Sequence, residues 1–134
     1  MPFNPNFETI GQAFVDHYYK CFDLQDIQQR SLGLSTLYDD SESYLTFEGS
    51  QVKGKEAILL KLSSLTFKTI ARALTKVDSQ PMEDGSILVA VLGQLKTDDD
   101  PPQSYTHTFI LKPTPNNASF FIANEIFTLV LHNL

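Results

Sequence analysis

The 134-residue chain contains no tryptophan and a single cysteine, Cys21, which excludes an internal disulfide bond. A lone thiol is typical of a reducing compartment. No segment reaches the roughly 20 apolar residues that a membrane-spanning helix requires, so we expect no membrane insertion. The first five residues offer neither a basic nor a long apolar run, and we expect no signal peptide.

Basic residues are scarce. Ten Lys and Arg stand against sixteen Asp and Glu, which gives a net charge of −6 and a pI near 4.8. A nucleic-acid-binding protein needs a basic face for the phosphate backbone, so this balance argues against such a function. It is compatible with a basic protein partner, because complementary charge steers association and selects partners.

Metal and nucleotide motifs are incomplete. The three histidines, His17, His107 and His132, lack metal-ligand spacing, and we expect neither a metal site nor a cofactor. Residues 49–55 match the GxxxxGK part of a phosphate-binding loop. Glu56 follows, however, where that chemistry needs a Ser or Thr hydroxyl, so nucleotide binding is not expected.

The length fits one domain, residues 1–134, with a sizeable core. Apolar residues at helical spacing predict a first helix over residues 5–22, with Asn4 as cap and Pro5 at the first helical position. A second helix is predicted from residue 24 or 26 to residue 37, with Ile27, Leu34 and Leu37 on its apolar side. A third is predicted over residues 54–62.

Strands dominate the rest of the chain. Alternating and β-branched patterns predict them at residues 44–47, 68–78, 86–97, 104–112 and 119–132. Helices followed by consecutive strands predict an α+β fold, with helices on one side of a mostly antiparallel sheet. Several strands are apolar on both faces. We therefore expect a homodimer through the open sheet face, since two-fold dimers are the commonest oligomers.

Three features allow both a structural and a functional interpretation. Phe47 and Glu48 end the first strand, where a bend would bring an aromatic and an acid to one pocket rim; the alternative is a core Phe beside a solvated Glu. The acidic run at residues 98–100 is either a solvated loop or a docking patch. Phe7 either joins a core stripe with Ile10 and Phe14 or is an exposed aromatic.

Several longer blocks closely resemble the nuclear transport factor two family, and together they cover nearly the whole chain in order. They are FVDHYY at 14–19, LTFEG at 45–49, GK at 54–55, KLSSL at 61–65, VLGQLK at 91–96, DDDP at 98–101 and LHN at 131–133. The resemblance implies a strongly bent, mostly antiparallel sheet that is wrapped by helices into a cone with an apolar cavity. It also implies a homodimer through the sheet face.

The resemblance further implies a carrier rather than an enzyme. The family binds the small GTPase Ran in its GDP form and Phe-Gly repeat nucleoporins, and imports Ran into the nucleus. Members occupy the cytoplasm and the nucleus, with enrichment at the nuclear pore. Nuclear transport is therefore the function that the resemblance predicts for this chain.

The family's site residues carry over by position. An aromatic side chain of Ran enters the cavity in the family, and acids at the rim pair with basic residues of Ran. Glu48, Asp98 and Asp100 match those acids, and Phe47 matches the aromatic beside the first, where the family usually has Trp. Arg72 stands where animal-type members tend to have His. Phe7 matches a Trp of the nucleoporin site; Phe keeps the apolar platform but loses the indole N–H.

Two other classes of function remain open. Cone-shaped folds also house small-molecule isomerases and dehydratases, and fold alone does not decide function. Such chemistry needs an acid or base with a shifted pKa in the cavity, and the candidates are Asp23, Tyr18, Tyr19, His17 and His107. A carboxylate contacting a Tyr or His on the cavity floor would favour an enzyme. The third class is a scaffold whose dimerisation is its function.

Overall fold

The computed structural model describes residues 3–131. This part of the chain forms three helices and six strands. The helices are α1 (Phe7–Phe22), α2 (Ile27–Ser35) and α3 (Lys55–Ser63). The strands are β1 (Tyr44–Phe47), β2 (Ser50–Lys53), β3 (Ile70–Pro81), β4 (Ile87–Thr97), β5 (Gln103–Pro113) and β6 (Phe120–Leu129). His132, the predicted end of the last strand, and Asn133, which belongs with it to the LHN block, lie outside the described residues.

Helix α1 supplies the largest helical contribution to the core. It starts at Phe7, two residues later than predicted, because Asn4 Oδ1 accepts the Asn6 amide at 2.9 Å in a local turn before the helix. Its buried positions recur at helical spacing and include Val15, Tyr18 and Phe22. This face packs on β3 and β4 and positions the aromatic side chains discussed below.

Helix α2 ends at Ser35, two residues before the predicted end, and buries an unexpected charged residue on its predicted apolar side. Asp26 caps it by accepting the amides of Gln28 and Gln29, as an N-terminal Asp is expected to do. Ile27, predicted on the apolar side, is 38% exposed, whereas Arg30 is fully buried beside Leu34. The prediction was wrong for Ile27, which is the first residue of the helix, and it missed Arg30 because charge was taken to mean exposure.

A short hairpin follows α2, and its second strand was not predicted. β1 and β2 pair antiparallel through a turn at Glu48 and Gly49, both of which have positive φ. Gly54, with φ of 87°, then starts α3, and a side chain there would lie 2.8 Å from the Asp40 carbonyl oxygen. Ile58 and Leu62 are buried on α3, as predicted.

The six strands form one sheet in the order β2-β1-β6-β5-β4-β3. All neighbours are antiparallel except β1 and β6, which pair in parallel from Tyr44↔Asn124 to Phe47↔Phe127. Register shifts between Leu74 and Lys76 and between Ile110 and Leu111 interrupt the ladders. The α+β prediction is confirmed: the sheet is curled and the helices lie on its inner side.

The two faces of the sheet differ in how far their side chains are buried. The inner face carries buried residues from the central strands, including Val89, Tyr105 and Phe109. The outer face aligns Ala90, Thr108 and Ile126 across β4, β5 and β6. Leu92 and Ile126 are 41% and 51% exposed on this face. No helix within residues 3–131 combines the length and the hydropathy that crossing a bilayer demands.

Candidate partner-binding pocket

An apolar pocket of about 260 Å³ opens at one end of the curled sheet. Helix α1, four strands and the loop between α3 and β3 all contribute to it. Its lining residues are Phe22, Phe47, Leu65, Thr66, Phe67, Ile70, Leu95, Thr97, Phe127 and Leu129. We call this the apolar pocket. Its volume and lining suit one aromatic or branched apolar side chain.

The strand pairing of β1 with β6 builds the aromatic wall of the apolar pocket. Phe47 stacks on Phe127 with ring centroids 4.7 Å apart and planes 9° from parallel. Tyr105 stacks behind Phe127 at 5.4 Å. Lys61 Nζ lies 5.8 Å from the centroid of Phe47. The wall is therefore a layered stack rather than a single exposed ring, and it presents a preformed surface.

Glu48 lies at the edge of this wall because the chain bends where β1 ends. Its φ is 51°, in the left-handed region, and its amide donates to the Phe127 carbonyl at 3.0 Å. Its carboxylate accepts a hydrogen bond from the amide of Leu129, a lining residue. The chain bends at the end of β1 as predicted, and the exposed carboxylate is held by the amide of a lining residue rather than left to rotate freely.

Asp98 approaches the apolar pocket from another side. It follows Thr97 and also has a left-handed φ of 51°. Its Oδ1 accepts the amides of Thr69 and Lys68 at 2.9 and 2.8 Å, and these bonds lower the pKa of its carboxyl group. Asp100 is exposed in the same turn, with its amide bonded to the Thr97 carbonyl at 3.0 Å. Two acids therefore adjoin the lining strand β4.

Arg72 does not present a free cation at the pocket opening. Its guanidinium pairs with both carboxylate oxygens of Asp23, at 2.9 and 2.5 Å, and its side chain is 7% exposed. The guanidinium carbon lies 4.0 Å from the Tyr19 ring centroid and 5.4 Å from that of Phe22. Arg72 therefore supports the pocket from behind through Phe22 and does not line it.

Phe7 lies at the start of α1 and is not among the residues that line the apolar pocket. It is half-buried and packs on the core together with Ile10 and Phe14. The core-stripe interpretation is therefore confirmed, although part of the ring stays accessible. Phe47 lines the apolar pocket, Glu48 and the acidic turn directly follow lining residues, and Phe7 lies outside the lining.

Beneath the pocket lies a buried polar cluster that the sequence did not predict as a unit. Glu125 Oε2 is 2.6 Å from both the Tyr18 hydroxyl and His107 Nε2, and Oε1 accepts from the Tyr38 hydroxyl at 2.6 Å. Tyr19 Oη lies 2.9 Å from His107 Nδ1. Glu125 and His107 are 2% and 1% exposed.

The hydrogen bonds of the cluster suit a neutral His107 ring. Burial lowers the pKa of His107, which favours a neutral ring that donates from Nε2 to Glu125 and accepts from Tyr19 at Nδ1. Burial and the neighbouring Glu125 raise the pKa of Tyr18 and Tyr38, so both hydroxyls stay protonated as donors. One buried carboxylate thus receives three hydrogen bonds, and its desolvation is offset.

Glu125 was absent from the sequence candidates, although a signal was present. Strand alternation places it on the same face as Phe127 and Leu129, so an acid at an inward position marked a buried charge. His107, Tyr18 and Tyr19 had been nominated without a partner. None of the five cluster residues lines the apolar pocket. Among the described residues, no group of three or more His, Cys, Asp or Glu side chains suits a metal.

Two larger depressions elsewhere have mainly polar linings. A groove of about 660 Å³ runs between α1 and β3 past Glu8, Asp16 and Asp78, and another of about 490 Å³ lies near Lys53 and Lys112. Neither has a mainly apolar lining. We therefore take the smaller apolar pocket as the candidate site because its lining, rather than its volume, suits an inserted side chain.

A curled, mostly antiparallel sheet with helices on its inner face and an apolar pocket at one end defines the class of cone-shaped α+β proteins. The family described as "Nuclear transport factor 2 (NTF2) domain" matches residues 10–129. The chain belongs to this family.

Named relatives agree with this membership. A Caenorhabditis elegans protein named "Probable nuclear transport factor 2" is 55% identical over 133 residues, covering 99% of both chains. "Nuclear transport factor 2" of Emericella nidulans is 40% identical, covering 93% of this chain and 96% of that one. The solved structure of nuclear transport factor 2 from Cryptosporidium parvum superimposes with a TM-score of 0.85 at 35% identity, covering 97% and 99% of the two chains. These names support a role in nuclear transport.

Proposed function

We propose that this protein is a nuclear transport carrier that binds Ran in its GDP form through the apolar pocket and its acidic rim. The observation that carries the proposal is the position of Glu48 and Asp98, each fixed by backbone amides beside an aromatic-walled pocket. A partner that inserts an apolar side chain into the pocket and surrounds it with Lys or Arg would complement both the apolar lining and the acids. The chain's net charge of −6 assists the encounter.

The remaining family positions take different roles in this proposal. Asp100 stands in the exposed turn after Asp98 and adds negative charge to the rim. Phe47 forms the pocket wall that the inserted side chain contacts. Arg72 acts through Asp23 and Phe22, because its ion pair leaves no accessible charge for Ran. A direct contact between Arg72 and Ran is therefore the weakest part of the site carried over from the family.

Transport through the pore needs a second surface, and we infer that Phe7 belongs to it. Its accessible ring at the start of α1 offers an apolar contact for Phe-Gly repeats of nucleoporins. We also infer a homodimer through the outer sheet face, where exposed Leu92 on β4 and exposed Ile126 on β6 lie on either side of β5. A carrier of this kind moves between cytoplasm and nucleus and concentrates at the nuclear pore.

An isomerase or dehydratase is the second candidate, since the fold also includes such enzymes. The contact between Glu125, Tyr18 and His107 is the kind of arrangement that favours this alternative. Two observations weigh against it. All three donors around Glu125 are already engaged, and no cluster residue lines the apolar pocket. A general base must reach its substrate's proton, so a sealed carboxylate serves structure rather than catalysis.

The test is calorimetric titration with Ran-GDP and, separately, Ran-GTP, at low and moderate salt. We expect saturable binding of the GDP form only, weakened by salt because exposed charges are screened. Glu48→Lys should abolish that binding while the variant remains folded and keeps its oligomeric state. Glu83→Lys, at an exposed turn away from the pocket, is the charge-matched control.

Two results would contradict the proposal. Wild-type affinity in Glu48→Lys would remove Glu48 from the site. Failure of the wild-type protein to bind either nucleotide form would remove the carrier function, and a small ligand in the apolar pocket would then become the first alternative to examine.

A further inference from the structure

The apolar pocket has one wall that is neither helix nor strand. Seven of its ten lining residues belong to α1, β1, β3, β4 and β6. The other three, Leu65, Thr66 and Phe67, lie between the end of α3 and the start of β3. We call residues 64–69 the pocket loop. A loop of this kind has no hydrogen-bond ladder of its own, so other groups must fix its position.

A buried arginine behind the pocket loop supplies such groups. Arg30, on α2, is fully buried, and its Nη1 donates to the carbonyls of Leu62 and Leu65 at 3.2 and 2.6 Å. Its Nε donates to the Leu24 carbonyl at 3.2 Å. These bonds tie the last turn of α3, the start of the pocket loop and the connection before α2 to a single side chain.

Arg30 also contacts the ring that the loop presents to the pocket. Its guanidinium carbon lies 4.4 Å from the centroid of Phe67, within the range of a cation–π contact. Phe67 therefore packs between Arg30 on one side and the apolar pocket on the other. The positive charge also suits the end of α3, where helix carbonyls are unpaired and the helix dipole is negative.

The far end of the loop is held by an acid. Asp98 accepts the amides of Lys68 and Thr69, the last two residues before β3. The loop is thus fixed at its start by Arg30 and at its end by Asp98. These two side chains belong to α2 and to the turn after β4, which are far apart in sequence.

We propose that Arg30 is a positioning residue for the apolar pocket: it holds the pocket loop, and Phe67 in particular, in the conformation that receives the partner's inserted side chain. Arg30 touches no partner itself. The binding consequence rests on the proposed carrier function, whereas the positioning of the loop does not. Arg is suited to this task because its planar fork serves several carbonyls at once, which a Lys ammonium on a flexible stem does not reproduce.

The experiment compares Arg30→Lys and Arg30→Met with wild type by hydrogen exchange of the backbone amides, followed by titration with Ran-GDP. Ile87→Val is the matched control, a buried change at the end of β4 opposite the pocket. In Arg30→Met we expect amides of the pocket loop to lose about tenfold in protection beyond any loss shared by the whole chain. Arg30→Lys should recover part of that protection, and affinity for Ran-GDP should follow the same order.

Each outcome decides the inference. Uniform loss of protection across the chain, or loop protection equal to wild type, overturns the positioning role. If loop protection falls in Arg30→Met and recovers in Arg30→Lys, but all variants bind Ran-GDP with wild-type affinity, Arg30 positions the loop without contributing to binding. If wild-type protein fails to bind Ran-GDP, the carrier function fails, while the exchange data still decide whether Arg30 holds the loop.

A measurement on the wild-type protein covers the case in which both Arg30 variants fail to fold. If Arg30 ties the loop to α2, loop amides must exchange with the same opening free energy as amides of α2. Exchange of the pocket loop at the rate of an unstructured segment, while α2 stays protected, overturns the inference without any substitution.

Discussion

The Tyr18 hydroxyl lies 2.6 Å from Glu125 Oε2, and both side chains are buried between α1 and β6. This bond joins the first helix to the last strand across 107 residues of sequence. Tyr38 and His107 donate to the same carboxylate, so one acid connects four segments of the chain. The Glu125 carboxylate therefore contributes to the stability of the fold.

Glu125→Gln should destabilise the fold by about 3 kcal/mol, because the amide removes the charge and opposes a donor with its own N–H₂ group. Urea denaturation at fixed protein concentration measures the change. Glu83→Gln, at an exposed turn, should stay within about 0.5 kcal/mol of wild type. Equal stability of the two variants would show that the buried hydrogen bonds contribute nothing net.

Stability should fall as the pH drops below 6.5, the ordinary pKa of histidine. Burial lowers the pKa of folded His107, so between that lowered value and 6.5 the unfolded chain binds more protons than the folded one. This contribution is fully present above 6.5 and is lost as the pH falls through the folded pKa. Its slope is at most about 1.4 kcal/mol per pH unit.

Denaturation midpoints at pH 7.5, 6.5 and 5.5 test this dependence. His107→Gln should show a shallower fall than wild type over the acidic interval. His17→Gln, a change on the exposed side of α1, should keep the wild-type slope. A slope in His107→Gln as steep as in wild type would assign the acid sensitivity to other groups.

Asp98 should have two separable roles, as a rim charge and as a holder of the pocket loop. Asp98→Asn keeps an oxygen for the amides of Lys68 and Thr69 but removes the charge, so it should weaken Ran-GDP binding while the two amides stay protected from exchange. Asp98→Ala should lose both, and it should bind more weakly than Asp98→Asn.

Calorimetry measures the effect of each Asp98 variant on Ran-GDP binding, and hydrogen exchange measures its effect on the pocket loop. Asp99→Asn, the neighbouring exposed acid, should leave both readouts close to wild type. If Asp98→Asn and Asp98→Ala bind Ran-GDP equally, holding the loop adds nothing to binding, and only the charge matters.

The outer sheet face should be the dimer interface. Ile126→Asp places a charge at the centre of that face, and in a two-fold interface each substitution counts twice. We expect the dimer dissociation constant to rise by about 1000-fold, since two unpaired carboxylates would lose water on association. Sedimentation equilibrium measures it. Leu60→Asp, at an exposed position of α3, should leave the dimer intact. A dimeric Ile126→Asp protein would place the interface elsewhere.

Period-two alternation predicted β4, β5 and β6 well because each of these strands buries one face along most of its length. The inward set of β5, with Tyr105, His107 and Phe109, is the one expected from the pattern. β2 escaped prediction because it is short, exposed and held mainly by its pairing with β1. Its formation depends on the turn at Glu48 and Gly49 rather than on a hydrophobic pattern.

Two charged residues show where sequence patterns stop being informative. Patterns equate charge with exposure, yet Arg30 and Glu125 are buried because carbonyls and hydroxyls from distant segments surround them. Those partners are 32 and 87 residues away along the chain. Only the assembled fold brings them together. The resemblance to a family indicated the rim acids, and it could not indicate how those acids are fixed.

The parallel pairing of β1 with β6 has a consequence for how this protein folds. Residues 44–47 find their partners at residues 124–127, about 80 positions later. Contacts of such long sequence separation form slowly, because the loop between them must be closed before the pairing returns any stability. The stack of Phe47 on Phe127 is therefore completed only after the last strand leaves the ribosome. Until then the apolar pocket lacks Phe127 and Leu129, so the site cannot form before β6 is in place.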